Sequence, residues 1–292
     1  MSSPPIGLVG VGLLGTALAE RMLAAGLQVL GHDPRQSQLD RLRQLGGTSA
    51  ENTSQIPARC DHIVLCLPDS HVVAAVIDAW GDSLRPRTLL IDATTGDPDH
   101  TAALGQRLAD QGVNYIDATI VGSSEQVRRG ESTVIIGGQE EYVDLASLLL
   151  SAWSSRRFHV GPLGSGARLK LVVNLVLGLN RAVLAEGLSL ARACGVDAAL
   201  ALDVLKATPA YSAAMDTKGP KMIARDYAPQ ARLALHHKDV GLIRTLAQRH
   251  GAKVPLSDLH EDLLRQAIEL GFGQADNSAI IEAFTGRPNE HS

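Results

Sequence analysis

The chain has 292 residues, a formal net charge of −4, 45% apolar residues and 20% charged ones. That composition predicts a globular protein with a full buried core and excludes a disordered chain. Aromatics at 3% leave little for base stacking, and no long Lys/Arg stripe is present, so a nucleic-acid partner is excluded.

Three cysteines, Cys60, Cys66 and Cys194, form an odd count without the paired spacing of a metal site. They fit reduced thiols in a cytoplasmic protein better than a disulfide framework. The opening MSSPPIGLVG lacks the basic-then-apolar pattern of a signal peptide. Residues 169–179, the most apolar later stretch, are too few to cross a bilayer and carry Lys170 and Asn174. The expectation is a soluble protein without a membrane partner.

In chain order, β-rich apolar runs at 6–9, 28–30, 62–67, 88–91, 113–117 and 133–136 are bounded by turn residues. Between the early runs lie amphipathic stretches at 14–25, 36–45 and 70–79. Residues 98–110 read as a helix with Asp97 as N-cap and Pro98 at the first helical position. Such alternation implies a mostly parallel sheet covered on both faces. From 163 the pattern is helical only: one long helix over 163–193, apolar nearly all round between 169 and 179 and so expected to be buried between domains or between subunits, then helices at 198–207, 211–224, 235–250 and 257–270, and a short one near 277–284. The fold class is α/β, an N-terminal Rossmann-type domain at 1–162 and an all-α domain at 163–292, linked through the long helix at the GPLGSG run.

The first strand runs straight into Gly10-Val11-Gly12-Leu13-Leu14-Gly15, and a helix follows. In this context the glycines make the tight turn, admit a pyrophosphate to the backbone and allow close helix packing, while the helix N-terminus faces the phosphates. The motif predicts a dinucleotide site. Asp33 ends the second strand, where a carboxylate accepts hydrogen bonds from the adenosine ribose and repels a 2′-phosphate; this favours NAD. Arg35, two residues on, can pair with that phosphate, so NADP stays open.

Lys170 and Asn174 stand four residues apart on the long helix and share a face. Desolvation in an apolar run favours the neutral amine, which brings proton transfer by Lys170 toward neutral pH. Carbonyl reduction needs such a proton for the developing alkoxide. Spacing alone is equally compatible with a solvent-seeking lysine and a packing asparagine.

GVGLLG at the start, IDATT at 91–95, YIDATIVGSS at 115–124, GSGARLKLVVN at 164–174 and HHKDVG at 236–241 occur in this order, followed by GFGQADNSAIIEAF at 271–284. Together these segments resemble the β-hydroxyacid dehydrogenase family over essentially the whole chain. The resemblance implies an NAD(P)-dependent oxidoreductase that passes a hydride between nicotinamide and a small β-hydroxy acid or its semialdehyde. It assigns acid/base work to Lys170 and positioning to Asn174. It places Lys238 near cofactor and substrate, and Leu67, Pro68 and Thr95 on the cofactor.

The chain departs from the family pattern in the substrate loop. Val121 replaces a serine and Thr119 a proline. Gly122 and Ser123 are expected to present backbone N–H groups to a substrate carboxylate, with Ser123 or Ser124 supplying a hydroxyl. These changes leave the substrate open. His236-His237 reads as surface or interface, Arg128-Arg129 as an exposed charge pair, Cys194 as a packed thiol, and Arg181 and Glu186 as internally paired. The apolar long helix suggests a homodimer or homotetramer. An imine reductase of the same fold and a non-catalytic nucleotide-binding or scaffold protein are the alternatives; a lysine at position 170 argues against both.

Overall fold

A computed structural model describes residues 4–285; the first three residues, part of the reading of the N-terminus, lie outside them. The chain divides into two compact units, one ending at Lys170 and the other starting at Leu171. This division falls inside the long helix, a little beyond the Gly/Pro/Ser run, because the first turn of that helix is held by the sheet unit.

The first unit is an eight-stranded sheet. Its strands are β1 (Ile6–Val9), β2 (Val29–His32), β3 (Thr48–Ser49), β4 (His62–Leu65), β5 (Leu89–Asp92), β6 (Asn114–Val121), β7 (Thr133–Gly137) and β8 (Arg156–His159). They lie in the order β3-β2-β1-β4-β5-β6-β7-β8. The sheet is parallel from β3 to β6, β7 runs antiparallel to β6, and β8 is parallel to β7. Strand order reverses between β1 and β4, and the crevice beyond their carboxyl ends is where open α/β sheets place ligands.

Helices α1 (Leu13–Ala24), α2 (Gln36–Gln44), α3 (Gln55–Arg59), α4 (Ser70–Trp80), α5 (Pro98–Ala109), α6 (Ser124–Arg128), α7 (Glu140–Leu145) and α8 (Ser147–Trp153) accompany the strands. One sheet face buries Leu8, Val64, Ile91 and Ile116 under Leu18, Met22 and Trp153. The other buries Val9, Ile63, Leu65 and Leu90 under Ile56, Val73 and Leu108. With both faces covered, the central strands are continuously apolar rather than alternating. Asp97 caps α5 as expected, accepting from the N–H groups of Asp99 and His100.

Sequence periodicity misses β3, which has two residues, and β8, whose Arg-Arg-Phe-His is exposed throughout at the sheet edge. It also ends β6 four residues early. Pairing with β7 carries the strand on to Val121, opposite Thr133.

The second unit contains most of α9 (Ser165–Ala193), then α10 (Ala198–Lys206), α11 (Ala213–Thr217), α12 (Gly219–Ala224), α13 (Leu233–Arg249), α14 (Pro255–Ala267) and α15 (Glu282–Thr285). The helix expected over 211–224 is two helices, broken at Lys218–Gly219 just before Pro220. Ala182, Leu184, Ala185 and Leu188 of α9 pack with Leu233, Val240 and Leu264 in the core. By length and composition α9 meets the test for a membrane span, as the core helix of a globular unit also does.

Within the single chain α9 is covered on one side only. Val172, Val176, Val183 and Leu190 stay at least half exposed along one stripe. Glu186 and Cys194 are exposed rather than internal, whereas Arg181 is buried. Burial pulls the Arg181 guanidinium down to about 10, opposed by Asp276 and Asp239.

The helical unit is tied by a buried ion pair. Lys218 Nζ donates to both oxygens of Asp276 at 2.8 and 3.0 Å. The same carboxylate accepts from the N–H groups of Gln230, Ala231 and Ser278. Burial pushes the Asp276 carboxyl up, but Lys218 and these N–H donors outweigh it and hold it below the usual carboxylate range. Its stabilising contribution is therefore complete above about pH 4 and is lost as pH falls through the depressed value. Lys218→Met strands this carboxylate and is expected to cost about 3–5 kcal/mol in urea unfolding at pH 7. A change under 1 kcal/mol (roughly an exposed pair's worth) would show that the pair does not tie the unit.

Candidate active site

The glycines of the first turn differ in what they do. Gly10 has φ +95°, and a Cβ there would lie 2.2 Å from the Cys66 carbonyl oxygen. A Cβ on Gly15 would lie 2.0 Å from the Gly10 oxygen, so glycine at 15 lets α1 approach the end of β1, while glycine at 10 lets that turn pass the chain after β4. Gly12 is different: a Cβ there would meet nothing nearer than Arg35 Nη2 at 3.8 Å. Gly12 is also the N-cap of α1 and makes no side-chain cap bond. The N–H groups of Leu13, Leu14 and Gly15 have no acceptor among the described residues. An open glycine beside three unsatisfied donors at a helix N-terminus has the chemistry that suits an anion.

Asp33 is buried and its lone pairs are already committed. It accepts from Val11 N–H, from Arg35 N–H and from Arg35 Nε and Nη2, all within 3.0–3.3 Å. Burial raises its carboxyl, but the Arg35 side chain and the two N–H groups dominate and keep it below the usual range. Asp33 thus braces the glycine turn, and Arg35 stands half exposed over Gly12.

The two IDAT tetrapeptides prove to be neighbours. Ile91-Asp92 on β5 lies in register with Ile116-Asp117 on β6, which sets two buried carboxylates side by side. Asp92 accepts from Tyr115 Oη at 2.6 Å and from Thr94 N–H at 2.9 Å. Thr94 Oγ1 accepts the Leu67 N–H at 3.1 Å. A single chain of bonds therefore shapes the turn carrying Leu67 and exposed Pro68 and the turn carrying Thr95. Burial pushes the Asp92 carboxyl up to about 6 against the pull of Tyr115 and Thr94.

Asp117 accepts from Gly164 N–H at 2.7 Å and Ala167 N–H at 2.6 Å. Three residues along the helix, the buried Lys170 donates from Nζ to the Ile120 carbonyl at 2.6 Å, at the end of β6. Sequence reading assigned no role to Asp92 or Asp117. The repeated IDAT at two strand ends was the available signal.

After Val121 the loop differs from expectation. Ser123 N–H donates to Gln126 Oε1 at 2.8 Å, and Ser123 Oγ accepts from Gln126 N–H. This capping box at α6 takes the Ser123 N–H that a substrate carboxylate was expected to use and engages Ser123 Oγ as an acceptor. Gly122 keeps its N–H without an acceptor among the described residues, at φ +144° and exposed. Thr119 is fully buried, its hydroxyl 3.4 Å from the Ile135 and Gly166 carbonyls.

In the helical unit, Asn174 Nδ2 donates to Asp239 Oδ2 at 2.9 Å, and Lys238 Nζ lies 3.1 Å from Asp239 Oδ1. Asp239, outside the sequence-derived site, brings together two residues that were inside it. His237 pairs with Glu261, but His236 is buried, its ring 5.2 Å from that of His260, which corrects the surface reading for one of the two. Burial, then Arg181 and His237, push His260 down to about 4. Arg128 and Arg129 pair with Glu20, Glu125 and Glu131, in keeping with an exposed charge cluster.

Residues 5–161 match the family model described as the NAD binding domain of 6-phosphogluconate dehydrogenase. Residues 164–284 match the NAD-binding model of NADP-dependent 3-hydroxyisobutyrate dehydrogenase. The chain is 29% identical over 285 residues to an L-threonate dehydrogenase of Cupriavidus necator, covering 96% of each. It is 28% identical to the 2-(hydroxymethyl)glutarate dehydrogenase of Eubacterium barkeri, over 96% of this chain and 94% of that one. A crystal structure of 3-hydroxyisobutyrate dehydrogenase from Salmonella typhimurium shares the fold, with a TM-score of 0.89 at 24% identity over 96% of this chain and 99% of that one.

The raised Asp92 value carries a pH signature. The folded chain holds this proton up to about pH 6, whereas the unfolded chain releases it near pH 4. Stability from this group therefore falls as pH rises from about 4 to about 6. Asp92→Asn, nearly isosteric, is expected to remove that component from the stability–pH curve measured by urea unfolding. An unchanged slope in that window would show that Asp92 titrates normally.

Proposed function

The chain belongs to the β-hydroxyacid dehydrogenase family of nicotinamide-dependent oxidoreductases, and we propose that Lys170 is its proton-transfer group toward a small β-hydroxy acid or the matching semialdehyde. The nicotinamide, when bound, supplies or takes the hydride at the carbinol carbon. The observation that carries the reading is the buried Lys170 amine, anchored by one N–H to the Ile120 carbonyl at the mouth of β6. An ammonium at this strand end can give up a proton. It hands one to the alkoxide oxygen in reduction, and the free amine recovers it from the hydroxyl in oxidation.

The residues of this chain fit the cofactor. Gly12 and the N–H groups of Leu13, Leu14 and Gly15 would hold the pyrophosphate, while Leu67, Pro68 and Thr95 would line the path of the nicotinamide half. Asn174, with Nδ2 spent on Asp239, offers Oδ1 to a substrate hydroxyl. The exposed Gly122 N–H suits a substrate carboxylate. Ser123 does so only if its capping box opens.

Cofactor choice turns on Arg35. Bound to Asp33, its guanidinium neutralises the carboxylate that would exclude a 2′-phosphate and still has N–H donors to offer. This weakens the preference for NAD that Asp33 alone implies. The apolar stripe of α9 supports a homodimer or homotetramer, and the thiol chemistry supports a cytoplasmic setting.

The test is turnover of short hydroxy acids and semialdehydes with either nucleotide, read by reduced-nicotinamide absorbance. Lys170→Met is expected to lower kcat by about 100-fold or more with nucleotide binding intact. Turnover of cyclic imines alone, or undiminished turnover by the variant, would defeat the assignment. Arg35→Ala is expected to shift the NAD-to-NADP ratio of kcat/KM at least about tenfold toward NAD; an unmoved ratio would place cofactor selection elsewhere.

A further inference from the structure

The Lys170 amine must be held in place, and α9 begins in a loop of glycines that gives it no local rigidity. Gly161, Gly164 and Gly166 all fall within the run that enters the helix, and Gly164 sits at φ +87°. Asp117 supplies what the loop lacks. Its Oδ1 takes the Gly164 N–H and its Oδ2 the Ala167 N–H, so a side chain from a strand caps a helix 29 residues long.

The cap is seated in a cradle that only glycine permits. A Cβ on Gly137 would lie 2.5 Å from Asp117 Oδ1, and a Cβ on Gly166 would lie 2.5 Å from Oδ2. The carboxylate is about 1% exposed, and charge so buried persists only where donors meet it.

Lys170 follows Ala167 by three residues on the helix, and Ile120 follows Asp117 by three on β6. Strand and helix are thus bonded to each other twice, once at Asp117–Ala167 and again at Ile120–Lys170. The two bonds close a frame with the amine at one corner. A rotation of the first turn of α9 that broke the Asp117 bonds would carry Nζ away from the strand end.

We propose that Asp117 is a positioning residue for proton transfer: by capping α9 from β6 it sets the location of Lys170 Nζ. The inference rests on the assignment of Lys170 above and goes beyond it by naming what fixes the amine. Asp117→Asn tests it, because one of the two N–H donors then faces an amide NH₂ instead of an oxygen.

We expect Asp117→Asn to bind NADH within about twofold of wild type in a fluorescence titration and to lose about 100-fold in kcat with little change in substrate KM, as a misplacement on the order of 1 Å does. The same substitution introduced into Lys170→Met is expected to cost no further activity, since both act through one amine. Additive losses, or an unchanged kcat with lowered thermal stability alone, would reduce Asp117 to a structural residue. Undiminished activity in Lys170→Met by itself would instead overturn the assignment of Lys170, which keeps the two failures apart. Should Asp117→Asn not fold, hydrogen exchange on the wild-type enzyme decides. The Ala167 amide is expected to be protected at least about 100-fold over other first-turn helix amides, which have no intrahelical acceptor; exchange at their rate would overturn the cap.

Discussion

A carboxyl group in the dry interior of a sheet is tolerated only where hydrogen-bond partners are brought to it, and this constraint organises the sheet unit around Asp92 and Asp117. The two stand abreast where the parallel ladder of β5 and β6 ends. Each gathers donors from a different direction: Asp92 from Tyr115 and the turn after β5, Asp117 from the loop entering α9. Through Thr94 the first of these also fixes the Leu67 turn. The segments that would touch cofactor and substrate are therefore held by buried polar bonds as well as by apolar packing, which by itself does not specify direction. Hydrogen bonds of defined length and angle do specify it.

The parallel sheet makes this arrangement possible. Strands covered on both faces are apolar along their length, so a polar residue in one of them is confined to its end, where the loops begin. Asp33 directly follows β2, Asp92 ends β5, and Asp117 ends the parallel ladder of the longer β6, whose last four residues continue past it to pair with β7. That antiparallel extension carries Ile120 out to meet Lys170.

Charge in the helical unit follows the same rule with a different result. Asp276 is met by Lys218 and three backbone N–H groups and ties the segment before α13 to the turn after α14. Asp239 joins Asn174 of α9 to Lys238 of α13. The first is a strut; the second holds two groups whose polar atoms are suited to a ligand.

The sequence by itself determined the alternation of strand and helix, the glycine turn before α1, the cap of α5 and the spacing of Lys170 and Asn174, because each is a local pattern of side-chain period or backbone freedom. It could not determine partners distant in the chain. Asp33 reads as a ribose ligand until Arg35 is seen to occupy it, Ser123 as a carboxylate donor until Gln126 closes on it, and Asp117 as an ordinary strand residue until the start of α9 arrives beside it. His236, Glu186 and Cys194 exchanged inside for outside for the same reason. A polar atom's availability is set by what folding brings within about 3 Å of it, and only the tertiary structure decides that.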